Sequence, residues 1–274
     1  MNGSELGIVE TRNVIRLINE LYQYDFSDFA LTSFKRRLEN LINMHSLKFS
    51  DNLLAKIRED KSFLDILLNE ILVEPTEMFR DPALWRLLRD EYIPQIAKTN
   101  LRFKVLFPLT VSGEELYSFL ILVKESGLID NCEVTVCYIS EKSKETIKTG
   151  RIKLAKLEVS KENYTRVHGI SKFEDYYKIR NNTVYFDENL YKDITFIQQD
   201  LRFDNMPKSV DMIFFRNQML YYNQVLQDRI LEVFYDSLNF NGYLLGGIRE
   251  KFLLSDSKKN LRVADTTENI YQKK

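Results

Sequence analysis

A strand that runs into a loop and then into a helix is the feature that most constrains the fold of this 274-residue chain. Phe103–Phe107 has the pattern of a mostly buried strand, and a helical pattern opens at residues 113–118. In a doubly wound α/β sheet, a nucleotide lies against the backbone at the first such turn, where glycine is favoured. Pro108 and Leu109 occupy the bend here. The sequence therefore predicts the frame of a nucleotide site without its usual glycine.

The rest of the chain divides into a helical N-terminal region and a C-terminal region that alternates strands and helices. From about residue 11 to residue 96, apolar residues at helical spacing predict successive amphipathic helices. Strands are predicted at residues 102–107, 133–139, 194–198, 210–215 and 242–248. Helices are predicted at residues 113–125, 142–148 and 224–238. We therefore predict an α/β fold, with a helical domain at residues 1–96 and a Rossmann-like domain with a mainly parallel sheet at residues 97–274.

Composition and charge exclude several classes of protein. The net charge of −1 and the charged fraction of 29% are those of a soluble globular chain with no general attraction to nucleic acid or to an anionic membrane. No apolar run approaches the roughly 18 residues of a membrane-spanning helix. The N-terminal residues lack the pattern of a secretory signal. We expect no nucleic-acid partner and no membrane insertion.

The cysteines and histidines are few and scattered. Cys132 and Cys137 are too few and too close for a disulfide framework, which favours a reducing compartment. His45 and His168 lie far apart in the sequence without other clustered ligands, so we expect no metal site. We therefore expect a cytoplasmic protein. We also expect a monomer.

Three further segments carry polar side chains where a site could form. Residues 73–82 are a polar break between apolar helices, and residues 196–201 are a strand that ends in an acid at Asp200. Residues 210–222 run from a buried strand directly into Arg216 and Asn217. At the carboxyl end of a parallel strand, these two side chains would face the ligand crevice of the sheet.

Together with the helix start at residues 113–118, these segments resemble the chemotaxis receptor methyltransferases of the CheR type. The family's Thr-x-x-Phe-Arg-Asp/Glu turn is similar to residues 76–81, its Gly-Glu-Glu-x-Tyr-Ser turn to residues 113–118, and its Arg-Asn-x-x-x-Tyr segment to residues 216–221. The motifs occur in family order, and the similarity runs from about residue 34 to residue 271. The resemblance implies a Rossmann-like methyltransferase domain that transfers a methyl group from S-adenosylmethionine to receptor glutamates.

The resemblance also implies the site residues, position by position. Cofactor contacts fall on Thr76, Arg80, Glu115, Tyr138, Asp200, Leu201, Arg216 and Asn217. Arg80 and Tyr221 match residues at the transfer site. Tyr138 stands where the family has an acid for the ribose hydroxyls, and Leu109 lies where the cofactor loop normally starts with a small residue. At Tyr138, losing hydrogen bonds to a charged acceptor costs about 1.5–3 kcal/mol. We expect both Leu109 and Tyr138 to weaken cofactor binding.

Two functions of different class remain open at this point. The retained Arg80, Arg216, Asn217 and Tyr221 favour an active protein-glutamate O-methyltransferase. The departures at Leu109 and Tyr138 favour a pseudo-methyltransferase that acts as a protein-binding or regulatory module. A pocket reshaped for another nucleotide-like ligand is a third possibility.

The resemblance implies a helical chemoreceptor-like protein as the partner. The basic run Lys35, Arg36 and Arg37 lies on a predicted helix of the N-terminal region. In this family a basic face of the N-terminal helices meets the acidic helices of the receptor. The run is therefore a candidate docking face, with an ordinary solvated helix face as the alternative.

Overall fold

The computed structural model describes residues 6–47, 50–72, 77–250, 252 and 261–274. The N-terminal part of these residues is helical, with α1 (Ile8–Tyr22), α2 (Leu31–Met44), α3 (Ser50–Glu59), α4 (Lys61–Ile71), α5 (Pro82–Leu87) and α6 (Ile93–Thr99). A π-helical turn at Leu88–Tyr92 continues α5 into α6. Asp60 caps α4 by accepting hydrogen bonds from the backbone N–H groups of Ser62 and Phe63. Pro82 opens α5, where its missing N–H is not required.

The C-terminal part is built on two sheets. Its strands are β1 (Phe103–Phe107), β2 (Cys132–Tyr138), β3 (Arg151–Lys153), β4 (Tyr177–Arg180), β5 (Thr183–Phe186), β6 (Thr195–Gln198), β7 (Val210–Phe214), β8 (Leu238–Leu245), β9 (Leu261–Asp265) and β10 (Ile270–Lys273). Its helices are α7 (Glu114–Glu125), α8 (Glu141–Lys148), α9 (Leu157–Val167) and α10 (Gln224–Ser237). The large sheet has the order β6-β2-β1-β7-β8-β10-β9, and the small antiparallel sheet has the order β3-β5-β4.

The five strands from β6 to β8 in the large sheet are parallel, and β10 is antiparallel to both of its neighbours. Strand β1 lies between β2 and β7, where Val105 aligns with Val134 of β2 and with Met212 of β7. Every residue of β7 is buried, as expected of a central strand covered on both faces. The chain runs from β1 outward to β2 and β6 and then returns to β7 on the other side of β1. The crevice at the carboxyl ends of β1 and β7 is therefore the switch point of the sheet.

One hydrophobic core joins the helical region to the large sheet. It includes Leu38 of α2 and Leu67 of α4 together with Leu106 of β1. A hydrogen bond also crosses between the two parts, from the Tyr24 hydroxyl to the backbone carbonyl of Ile139 at 3.1 Å. The N-terminal helices are therefore packed directly against the sheet.

The predicted fold class is confirmed, because a mainly parallel sheet follows a helical N-terminal region. All of the predicted strands and helices of the C-terminal part are present, although the strand predicted at residues 242–248 extends over Leu238–Leu245. The small sheet, α9, β9 and β10 were not predicted. Strand β4, for example, alternates apolar and charged residues, but its four residues are the shortest run from which alternation identifies a strand. Within the described residues, none of the helices has the length and apolar character to cross a membrane.

Candidate functional site

Arg216 is the centre of a buried cluster of charged side chains. It follows β7 and has no exposed surface. Its Nη2 lies 2.5 Å from Oδ2 of Asp81, and its Nη1 lies 2.6 Å from Oε1 of Glu115. Asp81 directly precedes α5, and Glu115 is in the first turn of α7. Three distant segments of the chain therefore meet at the switch point and give the buried guanidinium the charged partners that it requires.

The turn that carries Arg80 and Asp81 is fixed by its surroundings. Phe79 and Asp81 have φ angles of 52° and 59°, a region that non-glycine residues seldom adopt. The Phe79 backbone N–H donates to the hydroxyl of Ser118 at 2.8 Å, and the indole N–H of Trp85 donates to the carbonyl of Arg80 at 2.8 Å. Such backbone conformations persist where neighbours determine them. They direct the Asp81 carboxylate to Arg216, while the Arg80 side chain stays 35% exposed.

The cluster contains more carboxylates than cations. Burial raises the pKa of Glu115, and the positive charges of Arg216 and Arg80 act in the opposite direction. The guanidinium of Arg80 itself pairs with Glu77, with Nε 3.8 Å from Oε1. Burial also raises the pKa of Glu268, and the charge of Asp81 adds to that effect. A ligand that carries a positive charge would relieve the repulsion between these acids.

A further buried carboxylate, Glu250, holds the turn directly after Arg216. It accepts hydrogen bonds from the backbone N–H groups of Asn217 at 2.7 Å, Met219 at 2.6 Å and Gly247 at 2.5 Å. Burial raises the pKa of Glu250, and the three N–H groups oppose that shift. Asn217 has a φ of 59°. A Cβ at Gly247 would lie 2.5 Å from Oδ1 of Asn217, so this close approach requires glycine.

Two buried donors of the cluster have no hydrogen-bond partner among the described residues, namely Nε of Arg216 and Nδ2 of Asn217. The carboxylate oxygen Oε2 of Glu268 is also without a partner among those residues. Unsatisfied buried polar atoms are rare in folded proteins, and they fit a position where a ligand or a water completes the hydrogen bonds. The guanidinium of Arg216 lies beside the Glu115 carboxylate, and the amide of Asn217 follows it in the chain. Such donors and such a carboxylate suit the carboxylate and the ammonium of an amino acid. This donor set fits the methionine end of S-adenosylmethionine.

Tyr138, the predicted ribose contact, ends β2 and turns its hydroxyl toward α8. The hydroxyl donates to Oε1 of Glu141 at 3.0 Å and accepts from Nζ of Lys144 at 3.0 Å. Nζ of Lys144 also lies 4.8 Å from the centre of the ring. The phenol is buried and engaged with these two side chains. It offers no charged acceptor of the kind that an acid at this strand end gives to ribose hydroxyls.

Three other residues named from the sequence follow neighbouring strands. Asp200 is exposed after β6 and accepts a hydrogen bond from the backbone N–H of Arg202 at 2.9 Å. Leu201 and Leu109 are buried in the core that the large sheet shares with the N-terminal helices. Thr76, the remaining predicted cofactor contact, lies outside the described residues.

Tyr221, which the resemblance places near the transferred methyl group, lies where the helical region meets the large sheet. Its backbone carbonyl accepts a hydrogen bond from the N–H of Ala30 at 2.8 Å. The guanidinium of Arg37 lies 4.5 Å from the centre of its ring. Arg37 also donates to the carbonyl of Glu70 at 2.8 Å. Tyr221 therefore contacts α2, and Arg37 connects it to α4.

The geometry of α2 divides the basic run Lys35, Arg36 and Arg37. Successive helical residues point about 100° apart. Arg36 is exposed, Lys35 pairs with Glu39 at 3.6 Å, and Arg37 is half-buried against Tyr221. Of the three, Arg36 is the side chain that projects most into solvent.

A cleft of about 930 Å³ opens between the end of α4, the loop before α7 and the small sheet. Its lining includes Ser112 and Glu114, which precede Glu115 in the chain. Its basic side chains outnumber its acidic ones and are Arg37, Lys142, Arg151, Lys153 and Lys156. One of the acids, Glu114, is paired with Lys156 at 3.4 Å. The cleft is therefore suited to an acidic partner.

Two acids of the cluster, Glu250 and Glu268, are not among the residues that the sequence singled out, and Asp81 was included only as the last residue of the turn at residues 76–81. For Glu250 a usable signal was present, because the adjacent glycines Gly246 and Gly247 mark a close approach of the backbone to another group. For Glu268 we find no comparable signal in its neighbours. Its position depends on the return of the chain through β9 and β10.

The family model and the related sequences agree on the kind of chain. The family described as "CheR methyltransferase, SAM binding domain" matches residues 74–270. Cher3 of Pseudomonas putida, whose name places it among methyltransferases, is 29% identical over 242 residues, which cover 88% of each chain. A protein of Listeria innocua named chemotaxis protein methyltransferase is 23% identical over 239 residues, covering 87% of this chain and 88% of that one. The solved structure of TehB from Haemophilus influenzae superposes with a TM-score of 0.37 at 13% identity, covering 67% of this chain and 62% of that one.

Proposed function

The chain belongs to the CheR methyltransferase family, and we propose that it transfers methyl groups from S-adenosylmethionine to glutamate side chains of a chemoreceptor-like protein in the cytoplasm. The observation that carries this proposal is the buried Arg216, which joins Asp81 and Glu115 at the crevice between β1 and β7. A crevice of this kind is where open parallel α/β sheets bind their ligands. Relatives that are named methyltransferases support the same activity.

The residues around Arg216 would hold the methionine end of the cofactor. Nε of Arg216 and Nδ2 of Asn217 are buried donors that suit a carboxylate. Glu115 would accept hydrogen bonds from an ammonium group, and Arg216 favours the charged form of Glu115 against the effect of burial. When bound, S-adenosylmethionine supplies an electrophilic methyl group on a sulfonium sulfur. We assign Thr76, Tyr138, Asp200 and Leu201 to the remainder of the cofactor, by position in the family motifs.

The acceptor needs orientation and does not need a general base. A glutamate side chain with an ordinary pKa of about 4.3 is already a carboxylate at neutral pH. Arg80 is partly exposed beside the cluster and can pair with an acceptor carboxylate through its planar guanidinium. Tyr221 would line the transfer site. Holding the acceptor oxygen in line with the methyl group is then the main contribution of these residues to the rate.

The protein substrate would dock where the helical region faces the small sheet. The basic lining of the cleft of about 930 Å³ suits the acidic surface of a receptor helix. Arg36, exposed on α2, is a second proposed contact. Lys35 and Arg37 would support it from the same helix.

A pseudo-methyltransferase remains the second candidate function, because one observation favours it. Tyr138 replaces the expected acid, and its hydroxyl is already engaged with Glu141 and Lys144. If the ribose loses a charged acceptor at this position, cofactor affinity falls by roughly ten- to a hundredfold. The chain would then act through its protein-binding surfaces.

Calorimetric titration with S-adenosylhomocysteine, followed by transfer of labelled methyl groups to a receptor fragment, distinguishes the two functions. If the protein is an enzyme, we expect it to bind the nucleotide and to label the receptor. The label should be released by mild base, because methyl esters are hydrolysed under those conditions. Arg216→Lys should weaken binding, because a single ammonium cannot contact both Asp81 and Glu115 as the guanidinium does. Arg229→Lys is the matched control, since Arg229 lies on an exposed face of α10.

Each outcome has a definite meaning. Weak or absent binding by the wild type, without labelling of any receptor fragment, would favour the pseudo-methyltransferase. Equal binding by the two lysine variants would remove Arg216 from the site.

A further inference from the structure

Glu250 is a buried carboxylate that, within the described part of the chain, accepts hydrogen bonds from backbone N–H groups only. Glu250 is only 2% exposed. Oε2 accepts from the N–H groups of Asn217 and Gly247, and Oε1 accepts from the N–H of Met219. One carboxylate thereby joins the turn after β7 to the turn after β8.

A second layer of hydrogen bonds holds Glu250 in place from the C-terminal hairpin. Nδ2 of Asn269 donates to the carbonyls of Gly247 at 2.9 Å and Glu250 at 2.8 Å. The hydroxyl of Tyr271, in β10, donates to Oδ1 of Asn269 at 2.9 Å. The backbone N–H of Gly246 donates to the carbonyl of Asn269 at 3.0 Å. The hairpin and the site are therefore connected by a continuous chain of hydrogen bonds.

The turn that Glu250 holds contains a residue with an unusual backbone conformation. Asn217 has a φ of 59°, and its neighbour Met219 is in a short 3₁₀ turn. Residues in such conformations stay in place only where their surroundings determine them. Hydrogen bonds from N–H groups to a charged acceptor are about twice as strong as neutral ones. The carboxylate of Glu250 therefore provides hydrogen bonds that keep this turn in its conformation.

We propose that Glu250 is a positioning residue, which fixes the turn that carries Arg216 and Asn217 and thereby sets the affinity for the cofactor. The effect on cofactor affinity rests on the proposed function. The clamp itself, which is the set of hydrogen bonds from Asn217, Met219 and Gly247 to Glu250, does not. Glu250 acts through the backbone of Asn217, whose buried Nδ2 has no hydrogen-bond partner among the residues that the structure describes. Loss of the clamp should therefore weaken cofactor binding without changing the docking of the protein substrate.

Glu250→Gln tests the proposal with almost no change in side-chain size. An amide offers one oxygen to the three converging N–H groups, and its NH₂ group must face at least one of them. The matched control is Glu125→Gln at the far end of α7. Oε1 of Glu125 likewise accepts several hydrogen bonds, including the hydroxyl of Tyr176 at 2.9 Å and the N–H groups of Ile170 and Ser171 at 3.1 Å each.

Binding of S-adenosylhomocysteine is measured by calorimetry for both variants, with thermal unfolding as the measure of folding. We expect Glu250→Gln to weaken binding by about tenfold or more, and Glu125→Gln to leave it unchanged at a similar loss of stability. In steady-state methylation, the KM for S-adenosylmethionine should rise for Glu250→Gln while the KM for the receptor fragment stays constant. Equal affinities in the two variants would overturn the inference and leave the proposed function intact.

Hydrogen exchange on the unaltered protein tests the clamp without any substitution. The amides of Asn217, Met219 and Gly247 should exchange slowly, although none of them belongs to a strand or an α-helix. Rapid exchange at these three amides would overturn the inference even if Glu250→Gln does not fold. If the wild type fails to bind S-adenosylhomocysteine while these amides are protected, the proposed function fails and the clamp stands.

Discussion

Replacing Arg216 with methionine would remove the cation at the centre of the cluster while keeping an elongated side chain. Glu115, whose side chain is 12% exposed, would be left as a buried carboxylate without its partner at 2.6 Å. Asp81 is 25% exposed and can turn toward water, so it would lose less. Removing one partner of a buried ion pair costs about 3–5 kcal/mol. We expect Arg216→Met to lower the free energy of unfolding by an amount in that range.

Urea unfolding followed by fluorescence measures this loss close to the site. Trp85 is the single tryptophan of the chain, and its buried ring stacks on Phe214 of β7 with the centroids 5.9 Å apart. The control is Arg229→Met, which breaks an ion pair whose side chains, those of Arg229 and Asp204, are 47% and 42% exposed. An exposed pair is worth about 0–1 kcal/mol, so the control should change the unfolding midpoint little.

A second substitution tests whether the loss comes from the orphaned charge. Adding Glu115→Gln to Arg216→Met removes the buried carboxylate that has lost its partner. The loss of unfolding free energy in the double variant should be smaller than the sum of the losses in the two single variants, by about 0.5–3 kcal/mol. Additive losses, or a loss for Arg216→Met no larger than that of the Arg229→Met control, would refute the account of the cluster as a coupled buried ion network.

Three further predictions concern the cofactor and the partner. Because the pKa of Glu115 is raised above its ordinary 4.5 by burial, binding of S-adenosylhomocysteine should weaken as pH falls through that raised value. The pH dependence of folding has the opposite sign, since the stability that Glu115 contributes is present at low pH and is lost as pH rises through its folded pKa. Glu115→Gln should flatten the pH dependence of binding in calorimetry and of stability in urea unfolding. Tyr138→Asp should tighten S-adenosylhomocysteine by about tenfold if about 1.4 kcal/mol is recovered, and weaker binding would show that the ring itself supports the ribose. Reversing Lys35, Arg36 and Arg37 to glutamate should weaken capture of an acidic receptor helix, most strongly at low salt. Equal capture by the wild type and the reversed variant would show that the run is an ordinary solvated surface.

Much of the fold follows from local patterns. The strand at Phe103–Phe107 and the helix at Glu114–Glu125 are visible in the sequence because the spacing of apolar residues alone distinguishes the two structures. Strand β4 and the C-terminal hairpin of β9 and β10 were missed, since these strands have only four or five residues each and such short runs carry little periodicity. Their pairing is decided by partners that are distant in the sequence.

The candidate site divides in the same way. The resemblance named Arg80, Glu115 and Arg216, but it did not indicate which charges pair. Arg216 pairs with Asp81, 135 positions away, and the Asp81 carboxylate reaches it only because the preceding turn adopts positive φ angles. The basic run on α2 likewise suggested one face, whereas the helix directs Arg37 to Tyr221 and leaves Arg36 exposed.

The sequence by itself determined the secondary structure of the central strands, the fold class and the motifs that place the chain in its family, because these depend on the order and spacing of nearby residues. Only the tertiary structure decided that Glu250 clamps Asn217 from 33 positions away, that Tyr138 is engaged with Lys144, and that acids outnumber cations around Arg216. The physical reason is that burial and pairing of charge depend on which strand ends meet at the switch point. That meeting is set by the packing of the whole sheet and not by any one segment.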